Sequence, residues 1–173
     1  MSELGFGLGA KTVWRFVSRR LAWVFRAVWR LQVEGAAPEG PCVIAANHYS
    51  HLDPALVGYA VGPMRYLAVD ELYGNSEVFD WFTVHFGAIP MSRVRVPLGA
   101  MKEALRTLAS GGRVGVFPEG RRVWTWGEVA VPKRGAAWLA HRAGVPLVPV
   151  AVWGTQYSMG PGTIRFRPAP VAL

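Results

Sequence analysis

The chain contains a single cysteine, Cys42, in 173 residues. An intramolecular disulfide is therefore impossible, and a reducing compartment is the natural setting. Charge is also scarce: Asp, Glu, Lys and Arg make up 17% of the chain against 51% hydrophobic residues. That balance excludes disorder and fits a globular, somewhat apolar chain long enough to bury one real core. Acidic residues are the scarcer sign, 11 against 19 Lys and Arg, which leaves a formal charge of +8. A surplus of that size suits a polyanionic partner: nucleic acid, anionic lipid or a phosphorylated substrate. Internal repeats, low-complexity tracts and convincing linkers are absent. Neither a Cys pair nor a His-Glu-x-x-His helix offers a metal site. Cys42 lies in the apolar run Pro41 to Ala46 and reads as a small core residue rather than a nucleophile.

Long uncharged hydrophobic runs are missing as well. Residues 11–31 come nearest, but a basic residue every few positions argues against a spanning helix. The same charges, with no small-residue cleavage site after them, exclude a secretory signal. Wound at about 100° per residue, Lys11, Arg15, Arg19, Arg26 and Arg30 share one arc, and Trp14, Phe16, Val17, Leu21, Val24, Phe25 and Val28 cover most of the rest. Only Arg20 breaks the pattern. A basic helix rich in Trp and Phe fits one lying in a membrane interface. The competing reading is an ordinary helix that covers a sheet behind a solvated arginine stripe; the interfacial reading is preferred. Nucleic acid is disfavoured, because no binding motif accompanies the arginines and a broad apolar face backs them.

What is present is organised around Asn47-His48-Tyr49-Ser50-His51-Leu52-Asp53-Pro54. It follows the expected strand Pro41 to Ala46, and Asp53-Pro54 predicts a helix start with the aspartate at the N-cap. His48 thus stands where a strand becomes a loop, the usual place for a ligand in an α/β protein. A histidine can take a proton near neutral pH, and a nearby carboxylate can hold its tautomer. Taken alone, such a pair also describes a helix cap beside a satisfied histidine. His48, His51 and Asp53 could in principle hold a metal, but the His-x-His-x-Asp-His spacing fails and Pro54 occupies its last ligand position.

Further along, strands are predicted at Leu31 to Glu34, Arg65 to Val69, Gly87 to Ser92 with Arg93 just past its end, Arg113 to Phe117, Leu147 to Trp153 and Thr163 to Arg167. Helices are predicted at Pro54 to Val61, Ser76 to Phe86, Pro97 to Ala109 and Lys133 to Ala143, with Leu98, Met101, Leu105 and Leu108 as the apolar positions of the third. The aromatic residues and His85 of the second read as core. Strands and helices alternate throughout, which implies one α/β layered domain with a largely parallel sheet flanked by helices. The basic aromatic helix occupies residues 1–31, and the domain spans residues 32–173.

Four blocks stand in order: Asn47-His48-x-Ser50-x-x-Asp53, Gly87-x-Ile89-Pro90-x-x-Arg93, Phe117-Pro118-Glu119-Gly120-x-Arg122 and Val145-Pro146-Leu147-Val148-Pro149-Val150. Together they resemble the glycerolipid acyltransferases of the 1-acylglycerol-3-phosphate acyltransferase type, over about residues 33–167. The basic helix ahead of them is similar to that family's membrane-associating N-terminus. The resemblance implies a catalytic dyad at His48 and Asp53. It also implies acceptor binding by Arg93, Glu119, Gly120 and Arg122, and a donor-site or pocket-shaping role around Pro146. It further implies transfer of a fatty acyl group from acyl-CoA or an acyl-carrier-protein thioester to a lysophospholipid acceptor. The setting would be the cytoplasmic face of the cell membrane, peripheral or monotopic, with no metal or other cofactor.

In this scheme His48 is the general base, Asp53 orients it, and Ser50 is structural because the thioester is already activated. Arg93 and Arg122 clamp the phosphate, while Glu119 orients an arginine or bonds the acceptor's free hydroxyl. Lys102, Lys133 and Arg134 read as surface or phosphate-attracting background. Trp124 and Trp126 could dip into lipid or fold back onto the core.

Two departures from the family pattern matter. The third block has Arg121, Arg122 and Val123 where Thr, Arg and Ser are usual, so the acceptor could instead be glycerol-3-phosphate or a lyso-glycolipid. The chain also stops at Leu173, where relatives usually carry a further helix, and reads as a compact or shortened member. A third reading is a non-catalytic module that binds anionic membranes.

Overall fold

Short apolar runs bounded by Gly, Pro and charged residues become the strands. The computed structural model describes residue 23 and residues 26–69, 87–91, 98–123, 130–158 and 169–173. Within them β1 (Val43–Ala46), β2 (Arg65–Val69), β3 (Ala88–Met91), β4 (Val114–Val116) and β5 (Leu147–Val150) form one sheet in the order β3-β2-β4-β1-β5. Every pairing in that sheet is parallel. The strand carboxyl ends therefore share one edge. Val43 lies opposite both Val114 and Leu147, which places β1 between β4 and β5. The loop leaving β1 and the turn leaving β4 are thus neighbours, and these are the segments that carry His48 and Glu119.

Helices accompany the strands among the described residues: α1 (Asp53–Val61), α2 (Leu98–Ala109), α3 (Gly135–Ala143) and the short α4 (Thr155–Ser158). A parallel sheet is stable only when both faces are covered, and the side chains of β1 divide accordingly. Val43 belongs to a cluster with Ile89, Val114, Ala104 and Leu108 of α2, and Leu139 of α3. Cys42, Ile44 and Ala46 point the other way, toward Val57 of α1, Tyr66 and Val152. Cys42 is fully buried, and desolvation pushes its thiol pKa up against the opposing charge of Arg113, which suits a core residue.

α2 differs from its predicted face. Its buried residues are Ala100, Ala104, Thr107 and Leu108, whereas Leu98 in the first turn is 65% exposed. The small alanines allow the helix to lie close against the sheet, with Met101 and Leu105 at the flank. The expected strand Leu31 to Glu34 is a brief parallel bridge from Gln32 to Ala172. The Leu147 to Trp153 strand stops at Val150, with Trp153 making only an isolated antiparallel bridge to Ala172. α4 was not anticipated.

Of the basic aromatic segment, residues 23 and 26–29 are described and are helical. Trp29 packs with Leu31, Leu56 and Val171, and its indole N–H donates to Ser158 Oγ at 2.7 Å. The remainder of that segment lies outside the described residues. So do the predicted helix Ser76 to Phe86, the predicted strand Thr163 to Arg167, Trp124 and Trp126. Among the described residues no helix is long and apolar enough to cross a membrane.

Candidate active site

β1 ends at Ala46, and the next residue anchors the loop. The Asn47 side-chain amide donates to the Val152 carbonyl at 2.7 Å, and its carbonyl accepts the Val152 N–H at 2.6 Å. This reciprocal pair ties the loop to the segment after β5. His48 follows, and its own carbonyl accepts the Val123 N–H at 2.7 Å.

Asp53 does not cap α1. Leu52 is the residue preceding the helix and makes no side-chain cap bond, while the Asp53 carboxylate turns back onto the loop. Its Oδ2 accepts the Tyr49 N–H at 2.7 Å, the Ser50 N–H at 2.7 Å and a bond with His48 Nδ1 at 2.9 Å. A carboxylate gathering backbone donors is an acceptor, so the histidine proton belongs on Nδ1 and the free lone pair on Nε2. Asp53 is fully buried, whereas the His48 side chain is 17% exposed. One partner is sealed and the other can be reached. Ser50 is buried, and its Oγ accepts the Leu52 N–H at 3.2 Å, a use within the loop.

An aromatic column backs the histidine. The Phe117 ring stacks on the His48 ring at a centroid distance of 4.1 Å and 20°. Tyr66 lies behind Phe117 at 5.9 Å and 7°, and its hydroxyl donates to the Pro54 carbonyl at 2.6 Å. Full burial drives the Tyr66 hydroxyl pKa upward, so it stays a neutral donor. Gly115 makes room for this column. A Cβ there would come within 2.6 Å of the Tyr66 ring and 2.9 Å of Met64 Sδ.

Beyond Phe117 the chain turns sharply, with the Gly120 N–H donating to the Phe117 carbonyl at 3.0 Å. Gly120 has φ of +67°, a conformation that side chains disfavour. Glu119 Oε2 is buried and has no hydrogen-bond partner among the described residues. Desolvation first, and then the Glu119 and Asp53 carboxylates, raise the pKa of the Tyr49 hydroxyl, so both charges are felt at the loop. His51 is held below its ordinary pKa by desolvation, then by the Arg122 guanidinium and by His48, with Asp53 opposing. Arg122 is thus electrostatically coupled to the histidine loop. Arg121 is exposed and donates to the Arg122 carbonyl at 3.3 Å.

His48, Asp53, Glu119, Gly120 and Arg122 are therefore gathered at the carboxyl edge of β1 and β4. Pro146 is not. Its carbonyl accepts the Val43 N–H at 2.9 Å, which puts it at the amino end of β1. The strand rises about 10 Å from there before the loop that carries His48 begins. Arg93 lies outside the described residues, two positions past the end of β3. Asn47 and Phe117 stood in the blocks with no assigned role, and the structure supplies one for each.

Residues 30–153 match the acyltransferase family model. The chain belongs to the acyltransferase family. A 1-acyl-sn-glycerol-3-phosphate acyltransferase of Pseudomonas aeruginosa is 29% identical, covering 88% of this chain and 65% of its own. The alpha form from Homo sapiens is 35% identical over 71% of this chain and 45% of its own. A chloroplastic relative from Brassica napus is 29% identical over 71% and 36% respectively. The chain thus spans between about a third and two thirds of these curated relatives. The crystal structure of the 1-acyl-sn-glycerophosphate acyltransferase from Thermotoga maritima resembles it with a TM-score of 0.71 and 28% identity. That match covers 94% of this chain and 65% of the other. The acyltransferase family resemblance therefore extends to the fold, a parallel five-stranded sheet flanked by helices.

Proposed function

We propose that this chain transfers a fatty acyl group from an acyl-CoA or acyl-carrier-protein thioester to the free hydroxyl of 1-acylglycerol-3-phosphate. The reading rests above all on the His48–Asp53 pair, in which a buried carboxylate holds Nδ1 and leaves Nε2 as the base. The acceptor hydroxyl gives its proton to Nε2 as its oxygen attacks the thioester carbonyl. The tetrahedral adduct collapses, the carbon–sulfur bond breaks, and the imidazolium returns the proton to the departing thiol. Asp53 stabilises the imidazolium between these steps, and Phe117 fixes the ring plane. General-base assistance of this kind contributes on the order of 10²–10⁴-fold.

Glu119 orients an arginine once the acceptor phosphate draws it into the site, which would give a donor to a buried oxygen that lacks one. Arg122 and Arg93 neutralise the phosphate. The names of the relatives support this acceptor, and the surplus of basic residues supports action at an anionic membrane surface, peripheral or monotopic on its cytoplasmic side. The basic aromatic helix in residues 1–31 would serve as the anchor, ahead of a catalytic domain over 32–173.

Thiol release from a long-chain acyl-CoA, with and without lysophosphatidic acid, tests the reading. Release should require the acceptor and fall by on the order of 10²–10⁴-fold in His48→Ala. Full activity in that variant, or silence across acyl-CoA and carrier-protein donors with lysophosphatidic acid, glycerol-3-phosphate and lyso-glycolipid acceptors, would overturn it.

A further inference from the structure

Lys133 lies thirteen residues beyond Gly120, in the segment leading into α3. Folding brings the two together. The Lys133 N–H donates to the Pro118 carbonyl at 2.8 Å, which fastens this segment to the turn after β4. The lysine side chain then lies along the face of Gly120. A Cβ on Gly120 would sit 2.7 Å from Nζ, 3.0 Å from Cε and 3.3 Å from Cδ. Glycine thus leaves room for an ammonium at the turn that carries Glu119 and Arg122.

This ammonium has no ion-pair partner among the described residues. Glu119, on the same turn, forms no ion pair with it among those residues, and its buried Oε2 has no hydrogen-bond partner among them. The side chain is exposed yet directed along a backbone surface rather than into open solvent. Placed this way, it offers a point charge with three donors at the turn whose sequence also carries Arg122.

The geometry points to Lys133 as a further cation of the acceptor site, bonding the phosphate of the lysophospholipid from the Gly120 side. This assignment rests on the acyl-transfer reading above and adds to it a residue that distinguishes phosphate-bearing acceptors from neutral ones. Gly120 then has a role of its own: its missing side chain is the seat of the lysine stem.

Lys133→Met is the informative variant, because it keeps most of the stem that covers Gly120 and removes the charge. With lysophosphatidic acid it should raise KM about tenfold while kcat changes little, and Lys133→Arg should recover most of the loss. With monoacylglycerol, which lacks the phosphate, Lys133→Met and wild type should be alike. Wild-type turnover with an unchanged KM in Lys133→Met, or an equal loss on both acceptors, would overturn the assignment. Binding of glycerol-3-phosphate to the full chain separates the two proposals. If wild type does not turn over, the acyl-transfer reading fails, and weaker glycerol-3-phosphate binding in Lys133→Met would still support the anion site. Equal binding in both proteins, or none in either, would overturn it.

Discussion

The histidine loop and the turn after β4 lie side by side, yet they use their polar groups in opposite ways. In the loop almost every group is committed internally: Asn47 to Val152, Ser50 Oγ to the Leu52 N–H, and Asp53 Oδ2 to three donors at once. Asp53 Oδ1 is the exception, a buried oxygen with no hydrogen-bond partner among the described residues, but the charge it shares is already well met by Oδ2. In the turn the backbone is just as firmly tied, through Pro118, Phe117 and the Val123 bond to His48. Its side chains differ. Glu119 Oε2 has no donor and Lys133 no anion among the described residues. The contrast separates two tasks. Proton transfer needs groups held in place before the substrate arrives, whereas recognition needs groups whose partners the substrate supplies.

Asp53→Asn should break the first region most severely. An amide cannot present an anionic oxygen to the Tyr49 and Ser50 N–H groups and also orient His48 Nδ1. We expect turnover to fall on the order of 10⁴-fold, as when a triad aspartate is neutralised. The melting temperature should fall too, because the loop loses its organising acceptor. Retained stability with lost activity would mean that the loop does not depend on the carboxylate for its shape.

Glu119→Gln tests the second region by the same chemical change. Here activity with lysophosphatidic acid should fall by about tenfold or more, while the melting temperature stays level or rises. A buried carboxylate oxygen without a donor costs stability, and the amide lessens that cost. If the two variants behave alike, the contrast between the regions is wrong. Phe117→Leu should have a smaller effect, about five- to tenfold on kcat with KM little changed, because it loosens the plane of His48 without touching the acceptor.

The histidine loop was legible because its chemistry lies within seven consecutive residues, between an apolar run and a proline that starts a helix. Even there the local rule misled: an aspartate before a helix proline suggests a cap, but rule and spacing cannot say which way the carboxylate points. The strands were legible as apolar runs, whereas the order β3-β2-β4-β1-β5 depends on pairings between distant segments. The supports of the site were hidden for the same reason. Asn47 meets Val152 across 105 positions, Gly115 matters only because Tyr66 stacks above it, and Lys133 reads as a surface charge until the turn brings it onto Gly120. Pro146 shows the converse, a residue within a recognisable block that the fold places at the far end of its strand.

The smallest effect is expected at the opposite edge of the sheet, where charge serves stability alone. Arg65 at the start of β2 pairs with Glu103 of α2, with Arg106 at 3.4 Å from the second carboxylate oxygen. The hydrogen bond from Arg65 is the main cause holding the Glu103 carboxyl below its ordinary pKa, and burial opposes it. A carboxyl depressed in the folded state stabilises the fold fully above its unfolded pKa. That contribution fades as pH falls through the lower folded value. Glu103 is 33% exposed and solvent screens the pair, so it contributes about 0.5–1 kcal/mol. Glu103→Gln should therefore melt about 1–4 °C below wild type at neutral pH, with the gap narrowing as both are acidified toward pH 3. Turnover at neutral pH should be unchanged. A gap independent of pH would assign the stabilisation to packing of the Glu103 stem rather than to its charge. Lost activity would show that the two edges of the sheet are coupled, and that the site does not stand on its own loops alone.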